Sequence, residues 1–233
     1  MKKNRYGEEN LEPVGVAQAK FNLGKKYAEG IGVRRNYSKA IKYFRVSAEQ
    51  GHAEAQCTLG VMHYEGTCFP QDYKIAADWF TLAAEQGHAK SQFNLGWMYN
   101  YGVGFPRNGK TAFKWYTLAA KQGYARSQYT LGWMYEKGLG VTQDYWTAAK
   151  WYNRAAKQGD VDSQVILGGL YALGKGVIRD KVYAYMWADL AAANGNQNGA
   201  RLRKNVGKKM TAADISKAQD LSRECVENGY KGS

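Results

Sequence analysis

The residues best suited to chemistry lie between positions 52 and 65, where histidine, cysteine and glutamate come close together in the sequence. Cys57, His63 and Glu65 could supply sulfur, nitrogen and oxygen ligands to a zinc ion. Positions 63 and 65, however, point to different faces of a helix, so the three side chains would not converge. No cationic neighbour is in place to stabilise a reactive Cys57 thiolate. We therefore predict no metal site, and Cys57 is expected to be a small core residue.

The common motifs of catalysis are also missing. The chain contains no phosphate-binding G-x-x-x-x-G-K-[ST], no G-x-S-x-G, no H-E-x-x-H and no C-x-x-C. The G-x-G at 102–104 and at 138–140 follows a predicted helix and lacks the third glycine of a dinucleotide loop. The sequence thus predicts a protein that is not an enzyme and that binds no cofactor and no metal.

The net charge of +13 could indicate a nucleic-acid partner, but its distribution argues against one. Residues 1–50 carry 11 basic and 5 acidic side chains, and residues 195–233 carry 8 and 4. The segments between them, 51–122 and 123–194, are nearly balanced at +1 and +2. A groove that follows a phosphate backbone should be basic along its length. We therefore expect no nucleic-acid partner.

The composition and the first residues of the chain indicate the cellular compartment in which the protein is expected. Hydrophobic residues make up 45% of the chain, and no apolar run is long enough to span a membrane. The first residues, MKKNRYGEENLEPVG, lack the apolar core of a secretion signal, and three cysteines are too few for a disulfide framework. We expect a cytoplasmic protein, or a periplasmic or secreted one if the sequence is a trimmed mature form.

One 36-residue pattern repeats without insertions through most of the chain. Leu-Gly pairs recur at 23/24, 59/60, 95/96, 131/132 and 167/168, and tryptophan recurs at 79, 115, 151 and 187. A further glycine series keeps the same step: Gly15, Gly51, Gly87, Gly123, Gly159 and Gly195. Such periods are typical of solenoids and arrays. We divide the chain into an N-terminal tail or short lead-in helix (1–14), five repeats (15–50, 51–86, 87–122, 123–158, 159–194) and C-terminal capping helices with a tail (195–233).

Each repeat is predicted to be a pair of helices. In the third, residues 89–101 have amphipathic spacing and end at Gly102, which can adopt the left-handed conformation of a helix C-terminus. A second helix follows at about 109–121. Each second helix is preceded by a residue that can cap it: Asn36, Asp72, Asn108, Asp144 or Asp180. The glycine of each Leu-Gly pair is expected to give room for the Trp or Tyr ring of the partner helix, which predicts that Trp79, Trp115, Trp151 and Trp187 are core residues.

The repeat unit, best seen in SQYTLGWMYEKGLGVTQDYWTAAKWYNRAAKQG at 127–159, resembles the Sel1-like repeat, a relative of the tetratricopeptide repeat. The resemblance covers residues 15–194 and implies an all-α fold, a right-handed α/α superhelical solenoid of about five helical hairpins closed by a C-terminal capping helix. For that capping helix, Thr211 and Asp214 approximate a capping box, and Ile215, Ala218, Leu221 and Cys225 form one apolar stripe.

By analogy with tetratricopeptide arrays, the first helix of each hairpin would line a concave groove. The aromatic and polar side chains predicted to bind a partner there are Tyr64, Phe93, Trp97, Asn100, Tyr101, Tyr129, Trp133, Glu136 and Lys137. Rigid aromatic rings beside a few polar groups are typical anchors of protein interfaces. The alternative is that the same rings only cement neighbouring repeats.

The sequence therefore favours a non-catalytic scaffold or adaptor that binds a protein or extended peptide, as a monomer or alternatively a homodimer. The family resemblance adds two other hypotheses. One is an immunity protein that neutralises a cognate secreted effector. The other is a β-lactam-binding hydrolase of the cysteine-rich branch, which is disfavoured because the regular cysteine pair of that branch is absent.

Overall fold

The computed structural model describes residues 14–229, and all regular secondary structure in this range is helical. The predicted lead-in at 1–14 lies almost entirely outside the described residues. The helices are α1 (Val14–Glu29), α2 (Tyr37–Glu49), α3 (Ala53–Glu65), α4 (Tyr73–Glu85), α5 (Ala89–Tyr101), α6 (Gly109–Lys121), α7 (Ala125–Lys137), α8 (Tyr145–Ala156), α9 (Val161–Leu173), α10 (Lys181–Ala193), α11 (Gln197–Gly207) and α12 (Ala212–Glu227). The prediction of an all-α repeat array is confirmed.

The contacts divide the chain into two compact units, Met1–Arg107 and Asn108–Ser233. In the first unit each helix from α1 to α4 packs on the one that follows it, and a core forms around Phe21, Phe44 and Leu59. In the second unit the helices from α6 to α10 do the same, while α11 and α12 both pack on α10. Its larger core includes Tyr152 and Leu167.

Helix ends follow the sequence signals. The five predicted caps all accept hydrogen bonds from main-chain N–H groups of the helix that follows, as Asn36 does from Lys39 at 2.9 Å. Gly102, with a φ of +73°, ends α5 in the left-handed conformation. The predicted capping box of Thr211 and Asp214 starts α12, and Ala218 and Cys225 of its apolar stripe are buried.

At Gly24, Gly60 and Gly132 the ring that packs on the glycine of the Leu-Gly pair is one residue later than predicted. A Cβ added to Gly60 would lie 2.6 Å from the Phe80 ring, and one added to Gly132 would lie 2.7 Å from the Tyr152 ring. The tryptophans that precede these rings, Trp79 and Trp151, remain partly exposed, as does Trp115. They are therefore not buried core residues as predicted, although Trp79 packs against the core of the first unit. Of the four tryptophans of the repeat series only Trp187 is buried, and the residue that follows it, Ala188, is not aromatic. Glycine gives room for the six-membered ring of Phe or Tyr, and the indole lies beside the contact.

Buried glutamines connect successive hairpins. Gln56 on α3 donates its Nε2 to the main-chain oxygen of Ala48 on α2 at 3.0 Å and accepts from Gln86 Nε2 at 2.7 Å. In the second unit Gln128 donates to Ala120 at 3.2 Å and accepts from Gln158 at 2.7 Å. Each glutamine thereby satisfies a carbonyl near the end of the preceding hairpin and fixes the register of the next helix.

Candidate partner-binding surfaces

An aromatic cluster lies on α3 and α5 of the first unit. The Tyr64 ring meets the Trp97 ring edge-on with 5.7 Å between centroids, and Trp97 lies 4.7 Å from Tyr101. Trp97 and Tyr101 are one helical turn apart, so the helix places both rings on the same side. Tyr64 also contacts Tyr73 at the start of α4, at 5.4 Å. The structure thus brings together three of the predicted site residues.

Beside this cluster a cleft of about 290 Å³ opens between α3 and α5. Its lining is mostly apolar, with polar side chains among it: Val61, Tyr64, Glu65, Phe80, Lys90, Phe93, Asn94, Trp97 and Met98. We call it the α3/α5 cleft. Sequence reasoning identified Tyr64, Phe93 and Trp97 and missed Lys90 and Asn94. Positions 90, 94 and 97 share one face of a helix, so the register of α5 contained that signal.

The side chains of the α3/α5 cleft keep part of their surface in water. Tyr64, Phe93 and Trp97 are partly exposed, and Tyr101 is 60% exposed. Burial raises the pKa of Tyr64, with smaller contributions from Tyr73 and Glu65. Its hydroxyl therefore stays protonated and can donate a hydrogen bond. Asn100, which was also predicted, is partly exposed in the last turn of α5.

The four remaining predicted residues lie in the second unit, on α7. Tyr129 and Trp133 pack against the core of that unit, and the Tyr129 ring lies 5.9 Å from the buried ring of Tyr152. Burial raises the pKa of Tyr129, and the nearby carboxylates of Asp162 and Asp160 add to this effect. For these two rings the structure favours a packing role.

Glu136 and Lys137 form a polar network at the C-terminal end of α7. Glu136 accepts a hydrogen bond from the Tyr152 hydroxyl at 2.9 Å and one from Lys137 Nζ at 2.6 Å. Burial and the Glu136 hydrogen bond raise the pKa of Tyr152, so the phenol remains a donor. Because the carboxylate of Glu136 satisfies a buried tyrosine, its main role is internal.

The residues first considered for chemistry are not assembled into a catalytic site. Cys57 is 1% exposed, and burial raises the pKa of its thiol, which keeps the sulfur protonated. His63 stacks on Phe69 at 4.3 Å. Within residues 14–229 no three His, Cys, Asp or Glu side chains are grouped so as to hold a metal ion. Over the same range no helix has both the length and the apolar character needed to cross a membrane.

A stack of helical hairpins with a partly exposed aromatic cleft defines the chain as an α-helical repeat protein. A family model for the Sel1 repeat matches five consecutive segments, at residues 17–52, 53–88, 89–124, 125–160 and 161–196. The chain therefore belongs to the Sel1 repeat family. Sel1 repeats generally mediate protein–protein interactions and are generally non-catalytic scaffolds.

Solved structures agree with this assignment. A Sel1 repeat protein from Oxalobacter formigenes is 30% identical, with a TM-score of 0.76, over 92% of this chain and 91% of that one. The protective antigen c5321 of uropathogenic Escherichia coli is 32% identical with a TM-score of 0.74 over 97% of this chain, which spans 53% of the antigen's length. The immunity protein Pa5087 of Pseudomonas aeruginosa, 21% identical over 78% of this chain and 70% of that one with a TM-score of 0.50, shares the fold. Among curated protein sequences no match was found.

Proposed function

We propose that this protein is a non-catalytic scaffold or adaptor that binds a protein or an extended peptide, and that the α3/α5 cleft is a principal contact. The general role of Sel1 repeats supports a protein partner. The observation that carries the proposal is the cleft itself, in which partly exposed aromatic rings line a space of about 290 Å³. A space of this size accepts one or two apolar side chains of a partner.

The polar groups of the α3/α5 cleft favour a peptide over a fully apolar ligand. Lys90 and Glu65 carry opposite charges, so they can pair with a partner's side chains of either sign. Asn94 offers an amide donor and a carbonyl acceptor, which match the main chain of an extended segment. Aromatic walls with a few polar groups are what high-affinity interface pockets use.

The experiment is a pull-down from the native organism with mass spectrometry, comparing the wild type with matched variants. Trp97→Ala and Tyr101→Ala remove the rings of the cluster, while Tyr37→Ala removes a 53% exposed ring on α2 as a control. We expect the first two variants to lose a partner that Tyr37→Ala retains, with little change in the melting temperature of Tyr101→Ala. Retention of every wild-type partner by folded Trp97→Ala and Tyr101→Ala would refute the assignment of the cleft.

Trp133→Ala tests the packing role assigned to α7. Because Trp133 packs on the core of the second unit, its loss is expected to lower the melting temperature and to leave binding by the folded fraction unchanged. Loss of the partner without a change in melting temperature would instead make Trp133 an anchor, as the sequence first suggested.

The two other hypotheses have their own tests. An immunity protein should recover a single stoichiometric partner encoded beside its own gene, whereas an adaptor should recover several. For the hydrolase hypothesis, Cys57, Cys68 and Cys225 are all free thiols. We expect no hydrolysis of nitrocefin by the purified protein, and turnover at any measurable rate would contradict the non-catalytic proposal.

A further inference from the structure

The second unit carries an open apolar cleft that the proposed function does not use. It lies where α8 and α10 begin and has a volume of about 780 Å³. Its lining is mostly apolar, with one carboxylate: Trp146, Tyr171, Gly176, Val177, Ile178, Asp180 and Tyr183. We call it the Trp146 cleft. Ile178 is 90% exposed, Trp146 59% and Tyr183 42%. Large apolar side chains gathered in this way in water are typical of interaction sites.

The walls of the Trp146 cleft are held in place. Lys150, one turn after Trp146 on α8, holds its ammonium group 3.1 Å from the centre of the indole ring. Tyr171 stacks on Tyr183 with 5.3 Å between centroids. The loop before α10 lies directly on the start of α8 because Gly176 has no side chain, and a Cβ there would overlap the main chain of Tyr145. A preorganised surface loses less conformational entropy when it binds.

The charges around the Trp146 cleft are unbalanced in favour of cations. Lys150 stacks on Trp146, Lys175 lies 5.4 Å from the ring of Tyr145, and Arg179 follows Ile178 in the loop. In the described part of the chain, none of these three cations forms an ion pair with a carboxylate.

The two nearby carboxylates are already used by the fold. Asp144 accepts hydrogen bonds from the N–H of Trp146 and from the hydroxyl of Thr147 at the start of α8. Asp180 accepts from the N–H groups of Val182 and Tyr183 at the start of α10. Both carboxylates cap helices, and Asp144 also interacts with the charge of Lys150. The three cations exceed the two carboxylates by one, and this excess is available to an incoming anion.

We propose that the Trp146 cleft binds an acidic segment of a partner protein, which inserts an aliphatic or aromatic side chain between Trp146 and Ile178. The carboxylates that flank this anchor pair with Lys150, Lys175 and Arg179. Charge complementarity selects this occupant, and the exposed isoleucine and tryptophan favour a side-chain anchor over a bare phosphate backbone. The proposal is independent of the α3/α5 cleft, because every residue in it belongs to the second unit.

The test uses the full chain and fluorescence anisotropy. The probe is a fluorescein-labelled synthetic peptide with a central Leu-Phe pair between glutamate-rich flanks. One comparison peptide has lysine in the flanks, and another has Ser-Ser in place of Leu-Phe. We expect the wild type to bind the probe and to bind both comparison peptides at least about tenfold more weakly. The first lacks the acidic flanks, and the second lacks the apolar anchor.

Matched variants locate the site. Trp146→Ala and Ile178→Ser are expected to lower the affinity for the probe peptide by about tenfold, which is the size of effect that central interface residues show. Ile178 is almost fully in water, so its replacement leaves the fold intact. The controls are Tyr37→Ala, an exposed ring with the Arg35 guanidinium 5.5 Å from its centroid, and Ile31→Ser, an isoleucine that is 59% exposed in the first unit. Both controls should keep the wild-type affinity.

Salt and oligomeric state complete the test. Lys150→Gln should lower the affinity for the probe peptide by about threefold at low salt. The loss should be smaller at high salt, because salt screens the attraction between Lys150 and the carboxylates of the peptide. Equal losses in the variants and their controls, or equal binding of all three peptides, would overturn the proposal. A dimer in sedimentation that Ile178→Ser dissociates would also overturn it, because the occupant would then be a second copy of this chain.

Discussion

At the scale of single residues, the glutamine links between hairpins contain one incomplete member. Gln164 on α9 donates to the main-chain oxygen of Ala156 at 3.3 Å, but its buried Oε1 has no hydrogen-bond partner within residues 14–229. In the earlier links that oxygen accepts from Gln86 or Gln158. The corresponding position in the fifth repeat is Asn194, whose side-chain amide donates to the main-chain oxygen of Leu190 at 2.9 Å. The asparagine side chain is one methylene shorter than that of glutamine.

Asn194→Gln is therefore expected to stabilise the second unit. The longer side chain can reach Gln164 Oε1, and satisfying a buried acceptor is worth about 1 kcal/mol. Chemical denaturation monitored by circular dichroism measures the difference. The matched reverse change, Gln158→Asn, should remove the bond to Gln128 and destabilise by a similar amount. A loss of stability in Asn194→Gln would show that the C-terminal end of α10 does not admit the bond.

The glycines of the Leu-Gly pairs allow a second residue-scale prediction. Gly132→Ala would place a methyl group 2.7 Å from the ring of Tyr152, so we expect a destabilisation of about 1–3 kcal/mol in the free energy of unfolding. Gly169 lies one residue after a Leu-Gly pair on α9. Apart from its chain neighbours and its own helix backbone, no atom of the described residues lies within 4 Å of its added Cβ. Gly169→Ala should instead stabilise by up to about 1 kcal/mol, because alanine favours helix. Similar effects of the two changes in urea denaturation would contradict the close-packing explanation.

The tryptophan assignment failed because in three of the repeats a second aromatic residue directly follows the tryptophan. Trp79-Phe80, Trp115-Tyr116 and Trp151-Tyr152 all have the 36-residue step, so the period alone cannot say which ring packs on the glycine. Neighbouring helix positions differ by about 100° in direction, and only one of them can point at the partner helix. That choice depends on the orientation of the helix pair, which the sequence pattern does not specify.

At the scale of helices and their ends, the caps were predictable and the contacts of polar groups were less so. Asn and Asp at the starts of the second helices follow a local rule that requires only the next three residues. The bond between Glu136 and Tyr152 joins residues 16 positions apart in sequence, and no local pattern separates such a partly buried glutamate from one at a binding surface. The proximity of Tyr64 to Trp97 could be predicted from the sequence, because the 36-residue repeat places α3 and α5 in equivalent positions of neighbouring hairpins.

Two histidines, of which His52 is a helix cap, make the stability of the first unit depend on pH. His52 Nδ1 accepts from the N–H of Ala55 at 3.1 Å and His52 Nε2 lies 2.9 Å from Gln18 Oε1, an arrangement that requires the neutral ring. Burial lowers the pKa of His52 and a nearby histidine lowers it further, against the opposing charge of Glu54. Burial also lowers the pKa of His63, whose buried Nδ1 has no hydrogen-bond partner in the part of the chain that the structure describes.

Because both shifts are downward, the unfolded chain takes up protons before the folded one as the pH falls. The free energy of unfolding should thus be level above the ordinary histidine pKa of 6.5 and should decrease as the pH falls below it, towards the lowered folded values. His52→Asn keeps a capping oxygen without a titrating ring, and His63→Tyr restores the residue found at Tyr99. Urea denaturation between pH 5 and 8 should show that the free energy of unfolding changes less with pH in each variant than in the wild type. An unchanged slope in the double variant would rule out these two histidines as its source.

At the scale of the whole molecule, stability should depend on neighbouring hairpins. In the second unit Tyr152 of the α7–α8 hairpin shares a core with Leu167, Leu170 and Leu190 of α9 and α10, so the excised hairpin would expose this apolar face. We expect a peptide of residues 125–156 to be largely unfolded by circular dichroism, because short isolated helices are marginal in water. The fragment Asn108–Ser233, which contains the complete core, should be helical and unfold cooperatively in urea. Cooperative unfolding of the 125–156 peptide would mean that one hairpin is a folding unit by itself, and the dependence of this architecture on stacking would have to be abandoned.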